Sequence, residues 1–344
     1  MNVINTDKLR VGMTLGENIY RHDQLVITEG VPLTSRHIDM IKRLNIPEVK
    51  IIEIQKRRNI SFSNNTKYDE KYKTAVNSFK EICHSVTIGN MVLFNEVQDC
   101  LNPLIEELES NPEMALKLWQ MHTSDFYTYE HSVKVSMLAI LLSKWLGKPK
   151  VYQEEIGRVG LLHDIGKCNI PNDILNKPDV LTHEEFNVMK THSTLGYVLL
   201  SSTKSLSRDV VKGVLHHHER YDGTGYPSRL SGENIPEYAR IVSVVDIFDA
   251  MTSNRVYREK MNPFKVMDIM KNGSQGSIDP YMGKVFLERL KTSYLGEKVL
   301  LSSGDVGIVH EIRTSTPDRP IIRIEDSLVD LDKELHIEIK SMIL

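Results

Sequence analysis

Apolar positions recur at two different periods along the chain, and the changes of period divide it into segments. Residues 1 to 60 carry short runs, as in LRVGMTLGENIYRHDQLVITEGVPLT, broken by Gly, Asp and Pro and followed by the helical pattern SRHIDMIKRLNI. Runs of that kind between turn residues predict short strands, so this segment reads as a small α+β module. The stretch KRRNISFSNNTKYDEK, residues 56 to 71, is polar and lacks an apolar period over its first half, which marks a linker. From about residue 66 to 295 apolar residues return every three or four positions, as in AVNSFKEICHSV, VQDCLNPLIEEL and SVKVSMLAILLSKWL, the pattern of amphipathic and buried helices. Beyond residue 296 the period falls to two, and YLGEKVLLSSGDVGIVHEI with PIIRIEDSLVDLDKELHIEIKSMIL predicts four or five short strands forming a small barrel or sandwich. The expected fold is mainly α: an N-terminal α+β module over 1–60, a linker and connecting helices over 61–115, a helical domain over 116–295 and a C-terminal all-β module over 296–344.

Composition narrows the function classes. A chain of 344 residues, 40% of them apolar, can bury a core for two or three domains. Lys and Arg number 43 against 46 Asp and Glu, for a net charge of −3. That balance offers no polycationic surface for duplex nucleic acid or anionic lipid, so a phosphate-bearing ligand must be held locally. The apolar run Met137–Leu142 is far too short to span a bilayer, and the amino terminus has no signal-peptide pattern. Cys83, Cys100 and Cys168 are odd in number and lack metal-finger spacing, which suits a reducing compartment. A cytoplasmic protein is expected. No heptad seam sets the oligomeric state, and a homodimer is left open.

Histidine is the residue that changes the picture. Seven of the 13 histidines fall between positions 131 and 218, where even spacing would put about three. In LLHDIGK, residues 161 to 167, His163 and Asp164 sit side by side in apolar sequence with Lys167 one turn on, as if on one face of a helix. LHHHERYDGTGYP adds His217 and His218 ahead of a turn-rich loop, and ARIVSVVDIFDAMTSNRVYR places Asp246 in an apolar helical run. Burying so many polar groups without partners costs free energy, and a metal removes the cost. A nitrogen-rich donor set suits iron, manganese or zinc better than magnesium, and adjacent donors with a bridging carboxylate point to two ions able to clamp both oxygens of an in-line displacement at phosphorus. Tyr226 could stack on a base or pack beneath its loop. Arg255 and Arg258 could grip phosphate or pair with acids at the surface.

The ordered motifs YTYEHS, LLHDIGKCNIPNDILNKPDVLTHEEF, MKTHSTLG, HHERYDGTGYP and ARIVSVVDIFDAMTSNRVYR resemble those of the HD-GYP family over residues 120 to 295. The resemblance implies a helical HD-type metallophosphohydrolase bundle that hydrolyses cyclic di-GMP to pGpG and on to GMP in bacterial second-messenger signalling. It implies metal ligation by His131, His163, Asp164, His192, His217, His218 and Asp246, with Asp164 bridging and Lys167 in the position of the catalytic lysine. Arg255 and Arg258 match the phosphate-gripping positions, and Tyr226 falls in the GYP loop where substrate or a signalling-protein partner would dock. His183 and His216 fall outside the ligand pattern. The implied cofactors are two divalent transition ions, iron or manganese, with zinc, cobalt and nickel as alternatives. A third ion would use an acid four residues before His131, where this chain has Tyr127. The N-terminal segment is similar to a small module found ahead of HD-GYP domains, with a regulatory or dimerising role. Two other functions are weighed: a catalytically silent dinucleotide receptor, and a phosphodiesterase for a mixed cyclic dinucleotide.

Overall fold

The computed structural model describes residues 2–9, 13–21, 24–27, 33, 35–44, 46–52, 66–110, 127–253, 260–272 and 276–343. They form two compact units, Met1–Thr66 and Lys67–Leu344.

In the first unit, β1 (Asn2–Asn5), β2 (Thr14–Leu15) and β5 (Glu48–Ile52) form an antiparallel sheet of order β1-β5-β2. The strands β3 (Ile19–Arg21) and β4 (Gln24–Ile27) pair as a hairpin, and α1 (Ser35–Arg43) supplies the helix. Leu15, Ile27, Ile41, Val49 and Ile51 close a small core of their own. The α+β expectation is met.

The second unit is helical as far as residue 294. It runs through α2 (Thr66–Thr87), α3 (Phe94–Ser110), α4 (Tyr127–Trp145), α5 (Lys150–Leu162), α6 (Asn172–Leu175), α7 (His183–Lys190), α8 (His192–Ser201), α9 (Arg208–His216), α10 (Glu237–Thr252), α11 (Pro263–Asn272) and α12 (Pro280–Tyr294). Helices α4 and α10 are apolar on most faces because they are central: Val133, Leu138, Leu141 and Leu142 on one, and Ile241, Val244, Val245 and Phe248 on the other, are buried. Phe79 and Ile82 of α2 and Leu101 and Leu104 of α3 enter the same core. Among the described residues no helix is long and apolar enough to cross a membrane.

The C-terminal strands β6 (Lys298–Leu301), β7 (Val306–Glu311), β8 (Ile321–Ile324), β9 (Ser327–Asp330) and β10 (Ile339–Ile343) form one antiparallel sheet of order β10-β6-β7-β8-β9. The expected barrel or sandwich is corrected to this open sheet. Its inward residues Val299, Leu301, Val309 and Ile322 join the helical core, so the helices cover the apolar face and no second sheet is required. Asn262 Nδ2 donates to Ile339 O at 2.9 Å, and Lys291 Nζ to Thr314 Oγ1 at 2.7 Å, tying helices to sheet and loop.

One local expectation is also corrected. HDIGK is not continuous helix: α5 ends at Leu162, Asp164 leaves the helical region at φ −100° and ψ 5°, and a 3₁₀ turn follows over Ile165–Asn169. Close packing decides this. A Cβ on Gly166 would stand 1.9 Å from His192 O and 2.5 Å from Gly196 N, so glycine lets the turn press against α8 and brings Asp164 to His192.

Candidate metal centre

Five segments deliver the polar cluster. His131 comes from α4, His163 and Asp164 from the break after α5, and His192 from the first position of α8. His217 and His218 follow the end of α9, and Asp246 lies on α10. His131, His163, Asp164, His192, His217 and Asp246 are buried and His218 is half-buried. All seven residues expected as ligands converge, in two overlapping groups that could hold a metal ion, with Asp246 beside the first. His131, His163 and Asp164 make one group; Asp164, His192, His217 and His218 make the other.

Asp164 is common to both, and its two oxygens face different neighbours. Oδ2 lies 3.3 Å from His163 Nε2 and 3.8 Å from His131 Nε2, while Oδ1 lies 3.3 Å from His192 Nε2 and 3.9 Å from His217 Nε2. Asp246 Oδ1 stands 3.2 Å from His131 Nε2. Lys167 Nζ donates to Asp164 Oδ2 at 2.6 Å across the 3₁₀ turn.

The imidazoles are set by their outer nitrogens. His163, His192 and His217 each meet the carbonyl three residues earlier, Gly160 O at 2.7 Å, Met189 O at 2.7 Å and Val214 O at 2.6 Å. A carbonyl only accepts, so each Nδ1 carries the hydrogen and each Nε2 turns a lone pair inward. His131 uses a carboxylate instead, with Nδ1 2.7 Å from Asp249 Oδ2.

These donors fit a cation. His192 Nε2 and His217 Nε2 face one another at 3.3 Å as two lone pairs, an arrangement that repels unless a positive charge lies between. His163 Nε2 and Asp164 Oδ1 are buried without a hydrogen-bond partner among the described residues, each costing ~1–3 kcal/mol if left so. Burial pulls His192 down to about 4, and with crowding by other imidazoles holds His217 and His218 well below the ordinary value, so all three are neutral donors. Burial opposes charge on Asp164 and Asp246, but Lys167 and His163 for the first and His131 for the second hold them ionised, well below the usual carboxylate range. Burial likewise opposes charge on His131, yet its bonds to Asp246 and Asp249 hold it up at about 9. Neutral His192, His217 and His218 beside ionised Asp164 and Asp246 are in the donor state that a divalent ion requires, whereas His131 would give up a proton as an ion binds.

Two buried acids escaped the sequence reading. Asp249 is the outer partner of His131, and its signal was the one used for Asp246: an acid within the apolar run of α10, three residues further on. Glu219, beside His218, accepts from Ser228 N at 2.7 Å and Leu230 N at 3.0 Å and so anchors the glycine-rich loop. A Cβ on Gly225 would fall 2.3 Å from Arg220 N, which is why that loop can fold back so closely. Tyr226 stacks its ring 4.8 Å from that of His218, beside the cluster. His183 is exposed and His216 contacts Glu219 at 3.4 Å, away from the ligand groups. Cys168 packs against the apolar core. Arg255 and Arg258 lie outside the described residues, as does the side chain of Tyr127.

Comparison with known proteins agrees with this architecture. The cyclic di-GMP phosphodiesterase PA4108 of Pseudomonas aeruginosa is 38% identical over 224 residues, covering 65% of this chain and 54% of its own. The 3'3'-cGAMP-specific phosphodiesterase 1 of Vibrio cholerae is 37% identical over 169 residues, covering 49% and 39%. The chain thus spans about half the length, or less, of these curated relatives. A solved structure, Bd1817, a HDG"Y"P protein from Bdellovibrio bacteriovorus, shares the fold with a TM-score of 0.56 at 17% identity, covering 84% of this chain and 99% of its own. The HD domain family model matches residues 104–282, more than half of the chain and the stretch that carries the whole His and Asp cluster, and the chain therefore belongs to the HD domain family.

Proposed function

We propose that this protein is a metal-dependent phosphodiesterase that opens cyclic di-GMP to linear pGpG and carries it on to GMP. The observation that supports this most strongly is the division of Asp164, with one oxygen turned to each of two imidazole groups. His131, His163, Asp246 and Asp164 Oδ2 would hold one divalent ion, and His192, His217, His218 and Asp164 Oδ1 the other. Iron or manganese bound there would supply Lewis-acid activation of water and neutralise phosphoryl charge. Lys167 Nζ, at the edge of the cluster, would give its proton to the leaving ribose oxygen. Tyr226, seated on His218, would offer its face to a guanine, and Arg255 and Arg258 would grip the phosphates.

Chromatography of products from iron- or manganese-loaded protein against cyclic di-GMP and mixed cyclic dinucleotides tests the reading. Turnover of cyclic di-GMP that stops with Asp164→Ala is the expected result; binding without turnover would favour the silent receptor. Faster cleavage of a guanine–adenine dinucleotide would favour the mixed-substrate reading, for which the likeness to the cGAMP-specific relative speaks.

A further inference from the structure

A cavity of about 210 Å³ lies between α11, α12 and the β7–β8 connection, and none of its lining residues belongs to the His and Asp cluster. Met267, Met270, Ile278 and Leu287 give it apolar walls. Lys271, Lys284 and Lys291 bring positive charge, against Glu288 as the acid of the lining. Lys291 is compensated, with Nζ 2.8 Å from Glu288 Oε1. Lys271 donates to a carbonyl, Ser315 O at 2.6 Å, and Lys284 is exposed, and neither forms an ion pair with an acid among the described residues. An apolar wall bordered by two ammonium groups without an ion-pair partner among the described residues is complementary to an amphipathic anion. Since a cavity of ~150 Å³ holds benzene, this volume suits a chain of about eight carbons.

The wall segment over residues 276–280 is hydrogen-bonded to the loop that follows His218 and to α10, the helix that carries Asp246. Tyr221 N, three residues past His218, donates to Ser277 O at 3.0 Å. Arg240 Nη1, six residues before Asp246 on α10, meets Asp279 Oδ2 at 2.6 Å. Gly276, at φ +98°, rests against Asp222 of the glycine-rich loop. The geometry points to a binding site for a small amphipathic anion of the medium-chain carboxylate class, whose occupancy stiffens the segment that holds the His218 loop.

Saturation-transfer NMR with octanoate on the full chain tests the site. A ligand of about ten heavy atoms should bind with a Kd of about 1 mM or tighter. Lys284→Glu, an exposed change that leaves the fold intact, should weaken octanoate about fivefold and leave the neutral isostere octanamide unaffected. Leu287→Trp, which fills the cavity, should remove binding of both. Hydrogen exchange with octanoate present should slow at residues 276–280 and 221–226. No saturable signal up to about 10 mM, or octanoate binding unchanged in Lys284→Glu, would overturn the assignment of the site; binding with exchange unchanged would overturn the coupling to the loop.

Discussion

Replacing Asp249 should weaken metal binding while leaving the fold standing. The carboxylate is fully buried, and its Oδ2 accepts from His131 Nδ1 at 2.7 Å and from Ser253 Oγ at 3.2 Å. His163, His192 and His217 give the same proton to backbone carbonyls, which no substitution removes, so of these four rings His131 is the one whose orientation rests on a side chain. Asp249→Asn keeps the volume and can keep a neutral hydrogen bond, but loses the charge assistance that makes the His131 Nε2 lone pair a stronger donor. Asp249→Ala removes the bond as well and frees the ring to turn. Loss of an outer carboxylate typically weakens metal affinity by about 10–100-fold, or ~1.4–2.7 kcal/mol, with Asn at the lower end and Ala at the upper. Equilibrium dialysis against graded free manganese, with metal counted by mass spectrometry and melting followed by circular dichroism, separates affinity from stability. One ion should shift and the other should not, because His131 belongs to one of the two groups. Folded variants that bind both ions as tightly as the parent would refute the reasoning.

Further outcomes follow from the same geometry. Lys167→Ala should keep full metal content yet slow hydrolysis of cyclic di-GMP by about 10²-fold or more, and a metal-loaded variant turning over at the parent rate would deny the lysine its role. Gly166→Ala should cost about 3 kcal/mol in denaturant unfolding, since the new methyl meets backbone at His192 O and Gly196 N, which cannot move aside cheaply. Glu219→Ala should strip exchange protection from the amides of Ser228 and Leu230, and retained protection would show that the loop stands without it. In metal-free protein His192 is held down at about 4, so its contribution is present above the unfolded value of ~6.5 and is lost as pH falls toward 4. His131, held up at about 9, contributes fully below ~6.5 and loses that contribution as pH rises to 9. Apo stability should therefore peak near pH ~6.5 in unfolding titrations, and a curve still rising through pH ~8 would contradict these environments.

Much of the site could be read from residue types alone. Side-by-side donors such as His163 with Asp164, or His217 with His218, sit in apolar sequence where an unpartnered polar group is costly, so local sequence already signals a ligand. Asp249 carried the same signal as Asp246, but position on a helix does not say which acid points at the ion and which at the back of an imidazole. Glu219 follows the ligand pair directly, and only the folded loop shows that its oxygens receive Ser228 N and Leu230 N.

Sequence alone determined the period of each segment, the inventory of nitrogen and carboxylate donors and the order of the motifs, because periodicity and ligand chemistry are properties of neighbouring residues. Tertiary structure decided where α5 stops, since that depends on Gly166 meeting α8, and why one sheet suffices at the C-terminal end, since the helices already cover it. It also decided which oxygen of Asp164 faces which imidazoles. Those are matters of distance between segments far apart in the chain, and packing sets such distances.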